Sequence, residues 1–293
     1  MNIHTKTQCY DLNERTHIMG VLNVTPDSFS DGGKYASLDA AIARAVKMEA
    51  DGADIIDVGG ESTRPQHAPV STDEEIERVV PIIEAVRKEV NIPISIDTYK
   101  ARTADAALNA GADIINDVWG GLKDPDMAVV AKTHNVPIVL MHNRTDKNYT
   151  SLISDMKQDL QDRVENVLAA GVKKENIILD PGIGFAKTRE DNYVVMNYLD
   201  KFHDLGYPIL LGTSRKSFIE EVLPDLPPEQ RDGATGATTC LGISKGIQLV
   251  RVHNVSYTKQ LVLMMDKMLS SHDGRDRQAC WSKHQSWEVK NDG

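Results

Sequence analysis

The chain has 293 residues, with 33 Lys and Arg against 43 Asp and Glu, a formal charge of −10 and a pI of about 5.4. Hydrophobic residues make up 41% and charged residues 26%, which gives ample core material and excludes disordered and fibrous architectures. The acidic balance speaks against nucleic acid or an anionic membrane as the main partner.

Cys9, Cys240 and Cys280 are scattered and odd in number, so neither a zinc site nor a disulfide framework is expected. The opening MNIHTKTQCY is polar, and the longest apolar runs are about six residues, far short of the about 20 needed to span a bilayer. A cytoplasmic protein is expected.

In chain order, residues 1–15 form an N-terminal extension and residues 16–271 a single domain. Strands are predicted at 17–24, 54–58, 93–97, 113–118, 137–141, 177–180, 208–212 and 249–253. Each is almost continuously apolar, as for parallel strands covered on both faces. Helical patterns lie between them. The clearest spans 72–90, with Ile76, Val79, Val80, Ile83 and Val86 on one face and Thr72 with Glu75 as a capping box. Gly52, Gly111, Gly171, Gly206 and Gly246 each precede a strand, where a left-handed helix cap suits glycine. Eight strands alternating with eight helical segments predict a (β/α)8 TIM barrel of the α/β class. An open doubly wound sheet is the competitor, although no GxGxxG follows the first strand. Residues 272–293 lack periodicity and form a polar tail that carries Trp281 and Trp287.

A barrel places its active site at the C-terminal strand ends, and polar residues fall at nearly all of them. Asn23 follows the first strand, GGESTRP (59–65) the second, and Asp97 ends the third. Asn116 and Asp117 end the fourth, MHNR (141–144) the fifth and Asp180 the sixth. Ser214 to Ser217 follow the seventh; Arg251 and His253 end the eighth. Two clusters separate by chemistry. Asp97, Asn116, Asp180 and Lys216 suit a flat heterocycle with amide-like and amino edges. Asn23, Arg251 and His253 suit an anion, with Arg251 supplying a bidentate fork. The first loop carries Asp27 and Asp31, which could approach a metal-bound phosphate; carboxylates, an amide and phosphate oxygens favour a hard ion such as Mg²⁺ over zinc.

Together the segments GVLNVTPDSFSDGG (20–33), DIIDVGGESTRP (54–65), ISIDTYK (94–100), INDVWGG (115–121), DPGIGFAKT (180–188), LLGTSRKSFI (210–219) and RVHNV (251–255) resemble dihydropteroate synthases, the pterin-binding TIM barrels of folate biosynthesis. The resemblance implies condensation of a dihydropterin hydroxymethyl diphosphate with 4-aminobenzoate, requiring Mg²⁺. It implies catalytic roles for Asp97, Asp180, Lys216, Asp27 and Asp31, and pterin contacts from Asp97, Asn116, Asp180 and Lys216 between Met141 and Phe185. It further implies metal ligation by Asn23, and diphosphate contacts from Thr63, Arg251 and His253. The aminobenzoate pocket would use Phe29, Arg64, Pro65 and Ser217. This sequence departs from the family at Gln66 and Ala186, where glycine is common, and at Asn254, where aspartate is common. A corrinoid methyltransferase, a lysine aldolase using Lys216 and a non-catalytic binding barrel are the rival functions. The last helix, with Leu261 to Met265, Met268 and Leu269, is apolar around much of its girth and predicts a homodimer face.

Overall fold

The structure, a computed structural model, describes residues 1–24, 33–61 and 70–271. Strands β3 (His17–Asn23), β4 (Ile55–Gly59), β5 (Ile94–Asp97), β6 (Ile114–Asp117), β7 (Ile138–Met141), β8 (Ile177–Asp180), β9 (Leu210–Leu211) and β10 (Leu249–Val252) pair in parallel. Their order is β8-β7-β6-β5-β4-β3-β10-β9, and a parallel bridge between Leu179 and Ile209 joins the two ends. That closure decides for the barrel over the open sheet. Helices α1 (Gly33–Ala50), α2 (Thr72–Glu89), α3 (Ala101–Asn109), α4 (Asp126–His134), α5 (Leu152–Ala169), α6 (Arg189–Asn197), α7 (Ser217–Val222), α8 (Asp232–Ser244) and α9 (Val255–Ser270) follow the strands. The expected count was eight. Two helices, α7 and α8, follow β9, so nine occur among the described residues.

Strand alternation sorts the apolar residues into two cores. Ile18, Leu22, Ile56, Val58, Ile96, Ile115, Leu140, Leu179 and Val250 pack outward against the helices. Met19, Ile55, Ile114, Val139, Ile178, Leu210 and Leu249 form an inner layer. Beneath it lies a hairpin of β1 (Asn2–His4) and β2 (Cys9–Asp11) from the N-terminal extension. Ile3 and Leu12, both nearly inaccessible, join the inner layer, and the Tyr10 hydroxyl donates to the Asp54 carbonyl over 2.7 Å. The extension thus plugs the base of the barrel.

The start of α2 differs from expectation. Its N-cap is Ser71, whose Oγ accepts from the Glu74 amide, one position before Thr72. Glu75 does not complete a capping box. It is buried, accepting from Lys100 Nζ over 2.8 Å and Thr103 Oγ1 over 3.2 Å. The helix buries Val79, Ile82, Ile83 and Val86, while Ile76 and Val80 are half-buried. The five glycines predicted as caps all have positive φ, from 76° at Gly206 to 116° at Gly111.

Candidate active site

Two residues above each inner-layer side chain, the same face of the strand meets the mouth of the barrel. Ile55 leads to Asp57, Ile114 to Asn116, Val139 to Met141, Ile178 to Asp180, Leu210 to Gly212 and Leu249 to Arg251. On β5, Ser95 leads in the same way to Asp97. The alternation that builds the core therefore also builds the site. Parallel pairing sets Asn23, Gly59, Asp97 and Asn116 side by side along one rung. The glycine keeps that rung open: a Cβ at Gly59 would lie 3.6 Å from Asn23 Oδ1 and 3.7 Å from Asp97 Oδ2.

Arg251 reaches into this space. Its Nε donates to Asp57 Oδ2 over 2.6 Å and its Nη2 to Asp97 Oδ2 over 2.6 Å. Asn116 Nδ2 donates to the same Asp57 oxygen over 3.1 Å. Here the structure corrects the sequence-based division into a ring cluster and an anion cluster. Arg251 joins them, because its side chain is long enough to cross to β4 and β5. Asp57 was not foreseen: it lies one rung below the strand ends, and only the inward alternation marks it.

On the opposite wall, Asp180 Oδ1 accepts from the Gly182 amide over 2.6 Å. Lys216 Nζ donates to the Ile183 carbonyl over 2.5 Å and lies 4.7 Å from the centre of the Phe185 ring. A Cβ at Gly212 would be 3.7 Å from Asp180 Oδ2 and 3.9 Å from Lys216 Nζ, so this glycine also leaves room between charged groups. Met141 is buried and pairs in register with Asp180. The His253 amide donates to Ser214 Oγ over 3.2 Å, and its ring Nδ1 lies 2.9 Å from that oxygen. Ser217 is exposed at the start of α7. Asn254 caps α9, and its Nδ2 donates to Asp232 over 2.7 Å. Asp27, Phe29, Asp31, Thr63, Arg64 and Pro65 lie outside the described residues.

Burial governs the charges. It raises the Asp97 and Asp180 carboxyls, against the pull of Arg251 on the first and Lys216 on the second. Burial lowers Lys216 to about 8, with Asp180 opposing. It also works against the charge of Arg251, but Asp57 and Asp97 more than offset it. Of the four buried side-chain polar atoms without a partner among the described residues, two are carboxylate oxygens of this site, Asp57 Oδ1 and Asp97 Oδ1. Buried carboxylate oxygens without donors are costly, and they mark where a ligand's N–H groups would be welcome. A separate cavity of about 370 Å³, lined by Trp119, Lys123, Arg144 and Arg163, lies beside the loops after β6 and β7; of the strand-end candidates it contains only Asn143 and Arg144.

The pterin binding enzyme family matches residues 19–253, from the inner layer of β3 to His253. The chain belongs to that family.

Within it, the chain is 60% identical over 268 residues to the dihydropteroate synthase of Bacillus subtilis (strain 168), covering 92% of this chain and 94% of the relative. A crystal structure of a dihydropteroate synthase from Clostridium difficile in the presence of pteroic acid superposes with a TM-score of 0.86 at 50% identity, over 88% of this chain and 98% of that one. The Xanthomonas albilineans enzyme in complex with 7,8-dihydropteroate gives 0.86 at 34% identity, over 93% and 100%. This pterin-binding enzyme is a transferase of the dihydropteroate synthase type, acting in folate biosynthesis. No helix among its described residues is long and apolar enough to cross a membrane.

Proposed function

We propose that the barrel mouth holds the pterin ring of 6-hydroxymethyl-7,8-dihydropterin diphosphate while its methylene carbon passes to the amine of 4-aminobenzoate. The unsatisfied Asp97 Oδ1, in one mouth with Asp180 and Asn116, carries this assignment. A pterin presents amide and amino N–H groups along one edge. Acceptors on Asp97 and Asp180 and the two-faced amide of Asn116 complement that edge. Lys216 donates to ring acceptors, and Phe185 with Met141 supplies apolar contact.

In the reaction the C–O bond breaks with its electron pair leaving on diphosphate. The aminobenzoate nitrogen attacks the methylene carbon and then loses a proton. The reduced ring shares the positive charge that develops, and the carboxylates beside it favour that charge over the neutral ground state. Arg251 and His253 receive the anion. Nη1 of Arg251 makes no hydrogen bond among the described residues, so the guanidinium can meet a phosphate while still tied to Asp57 and Asp97.

The resemblance requires Mg²⁺, and Asn23 fits it. Its Oδ1 and Asp97 Oδ2 both border Gly59 on the top rung, and an amide oxygen of this kind suits a hard cation bound mainly through water and phosphate. Asn23 would hold the ion, which disperses charge on the leaving group when bound. Asp27, Asp31 and Thr63 would approach the diphosphate, while Phe29, Arg64, Pro65 and Ser217 would hold the aminobenzoate.

Two further features extend the proposal. Leu263, Met264, Met268 and Leu269 of α9 are 46–59% exposed in the single chain, and a second copy covering them gives the homodimer. The free Cys9 and Cys240 accord with a reducing, cytoplasmic setting.

Diphosphate release by the purified enzyme, with and without 4-aminobenzoate, tests the function. Release that depends on 4-aminobenzoate, disappears in excess chelator and is weakened by Asn23→Ala is expected. Full activity in excess chelator would remove the metal from the scheme.

A further inference from the structure

The segment between β8 and α6 carries much of the mouth yet has no ladder to hold it. Residues 181–188 contain no strand or helix, and Gly182, Ala186 and Gly184 take φ of 66°, 47° and 88°. From this segment come the amide on Asp180, the carbonyl that receives Lys216, and the Phe185 ring.

Behind it lies Lys187, 4% exposed. Its Nζ donates to the Gly182 carbonyl over 3.0 Å, to the Phe185 carbonyl over 3.0 Å and to His142 Nδ1 over 3.1 Å. His142, fully buried at the end of β7, passes its Nε2 hydrogen to Asp159 Oδ2 over 2.9 Å. Asp159 in turn accepts from Arg144 Nε over 2.5 Å. In the protonated form all three Nζ hydrogens are thus committed, none of them to a carboxylate, and burial lowers the pKa of the group to about 7. An ammonium buried without a counter-ion in contact is expensive, and a methionine would fill the same space at lower cost. What methionine lacks is three convergent donors.

We infer that Lys187 is a positioning residue for pterin binding, clamping the Gly182 and Phe185 carbonyls from behind so that Asp180, Lys216 and Phe185 face the ring in one arrangement. The inference rests on the assignment of the pterin ring to Asp180 and Lys216. The clamp reaches strand β7 through His142, so the two walls of the segment are fixed relative to each other before any ligand arrives. A preorganised wall of this kind affects ground-state binding of the ring more than the subsequent chemistry.

Lys187→Met tests the inference, with 6-hydroxymethylpterin as the binding probe in calorimetry and steady-state kinetics alongside. The dissociation constant of the probe and the KM for the pterin diphosphate are expected to rise about tenfold or more, while kcat and the KM for 4-aminobenzoate stay within about threefold. His142→Leu, which removes one acceptor and leaves both carbonyls, is expected to move the same constants in the same direction by less; it also serves if Lys187→Met does not fold. Wild-type affinity for the probe in whichever folded variant is measured, even with a lowered melting temperature, overturns the inference. Asp180→Asn is the control: if it leaves probe binding untouched, the pterin assignment fails and the clamp loses its object.

Discussion

Arg251 on β10 and Asp57 on β4 meet over the intervening strand β3, Nε to Oδ2 over 2.6 Å, from positions 194 residues apart. Asp57 and Asp97 are buried and the half-buried Arg251 shares its guanidinium between them, so one cation compensates two carboxylates inside the mouth. Removing the cation leaves both acids facing each other without relief.

Arg251→Met should accordingly cost about 3–5 kcal/mol of stability, the scale for stripping one partner from a buried ion pair. Adding Asp57→Asn should recover part of that loss, because one uncompensated charge goes with it. Denaturant unfolding of the two single variants and the double variant measures the coupling. Strictly additive losses would show that Arg251 and Asp57 do not interact.

Asp180→Asn separates a structural from a functional role. Asparagine retains an oxygen for the Gly182 amide, so the melting temperature should change little. The charge beside the ring is lost, and kcat/KM should fall by about 2–4 kcal/mol, as for a preorganised electrostatic contact. A fall below about tenfold would reduce Asp180 to a turn-forming residue.

His142 sets an acid limit on stability. Burial pushes its pKa down to about 4, and the Asp159 contact only partly opposes this. The unfolded imidazole takes up a proton near its ordinary value of 6.5, whereas the folded one stays neutral until about 4. Stability from this group is therefore complete above 6.5 and is lost as pH falls toward 4, by about 3 kcal/mol in all. Asp159 extends the effect to lower pH: despite its own desolvation, His142 and Arg144 hold it well below the carboxylate range. Melting temperatures between pH 7 and 4 should fall less steeply in His142→Gln than in the wild type.

Ala186→Gly should stabilise the protein. Ala186 sits at φ 47°, which costs a residue with a Cβ about 1–2 kcal/mol. The greater freedom of glycine in the unfolded chain returns about 0.5–1 kcal/mol of that, leaving a small net gain. The Tyr149 hydroxyl bond to the Ala186 carbonyl is backbone-directed and survives. Thermal denaturation checks the sign; a lower melting temperature would mean the methyl group contributes packing that exceeds the strain.

The barrel was legible because its strands are short apolar runs and its caps are glycines, both local signals. Strand-end residues such as Asp97, Asn116 and Asp180 were legible for the same reason, since a polar group closing an apolar run is visible in one dimension. Asp57 was hidden inside DIIDV, where an acid in mid-strand has no neighbour in sequence to explain it. The Lys187–His142 contact joins residues 45 positions apart, and the Arg251 contacts span 154 and 194. Such pairings become visible only once the barrel closes. Ser71 displaced Thr72 as the cap because adjacent hydroxyl residues offer the same chemistry, and backbone geometry chooses between them.

The hairpin beneath the barrel has a consequence for how the chain is made. Ile3 and Leu12 precede every strand of the barrel in the chain, yet the interior layer they pack against is completed by Leu249. Lys6 likewise waits for the carbonyls of Leu108 and Ala112, 102 and 106 positions downstream. On the ribosome this hairpin must remain undocked until almost the whole barrel has emerged, so its seating and the closure of the sheet belong to one late event. Amide hydrogen exchange at Ile3 should then be as slow as in β10, far slower than in an exposed two-stranded hairpin.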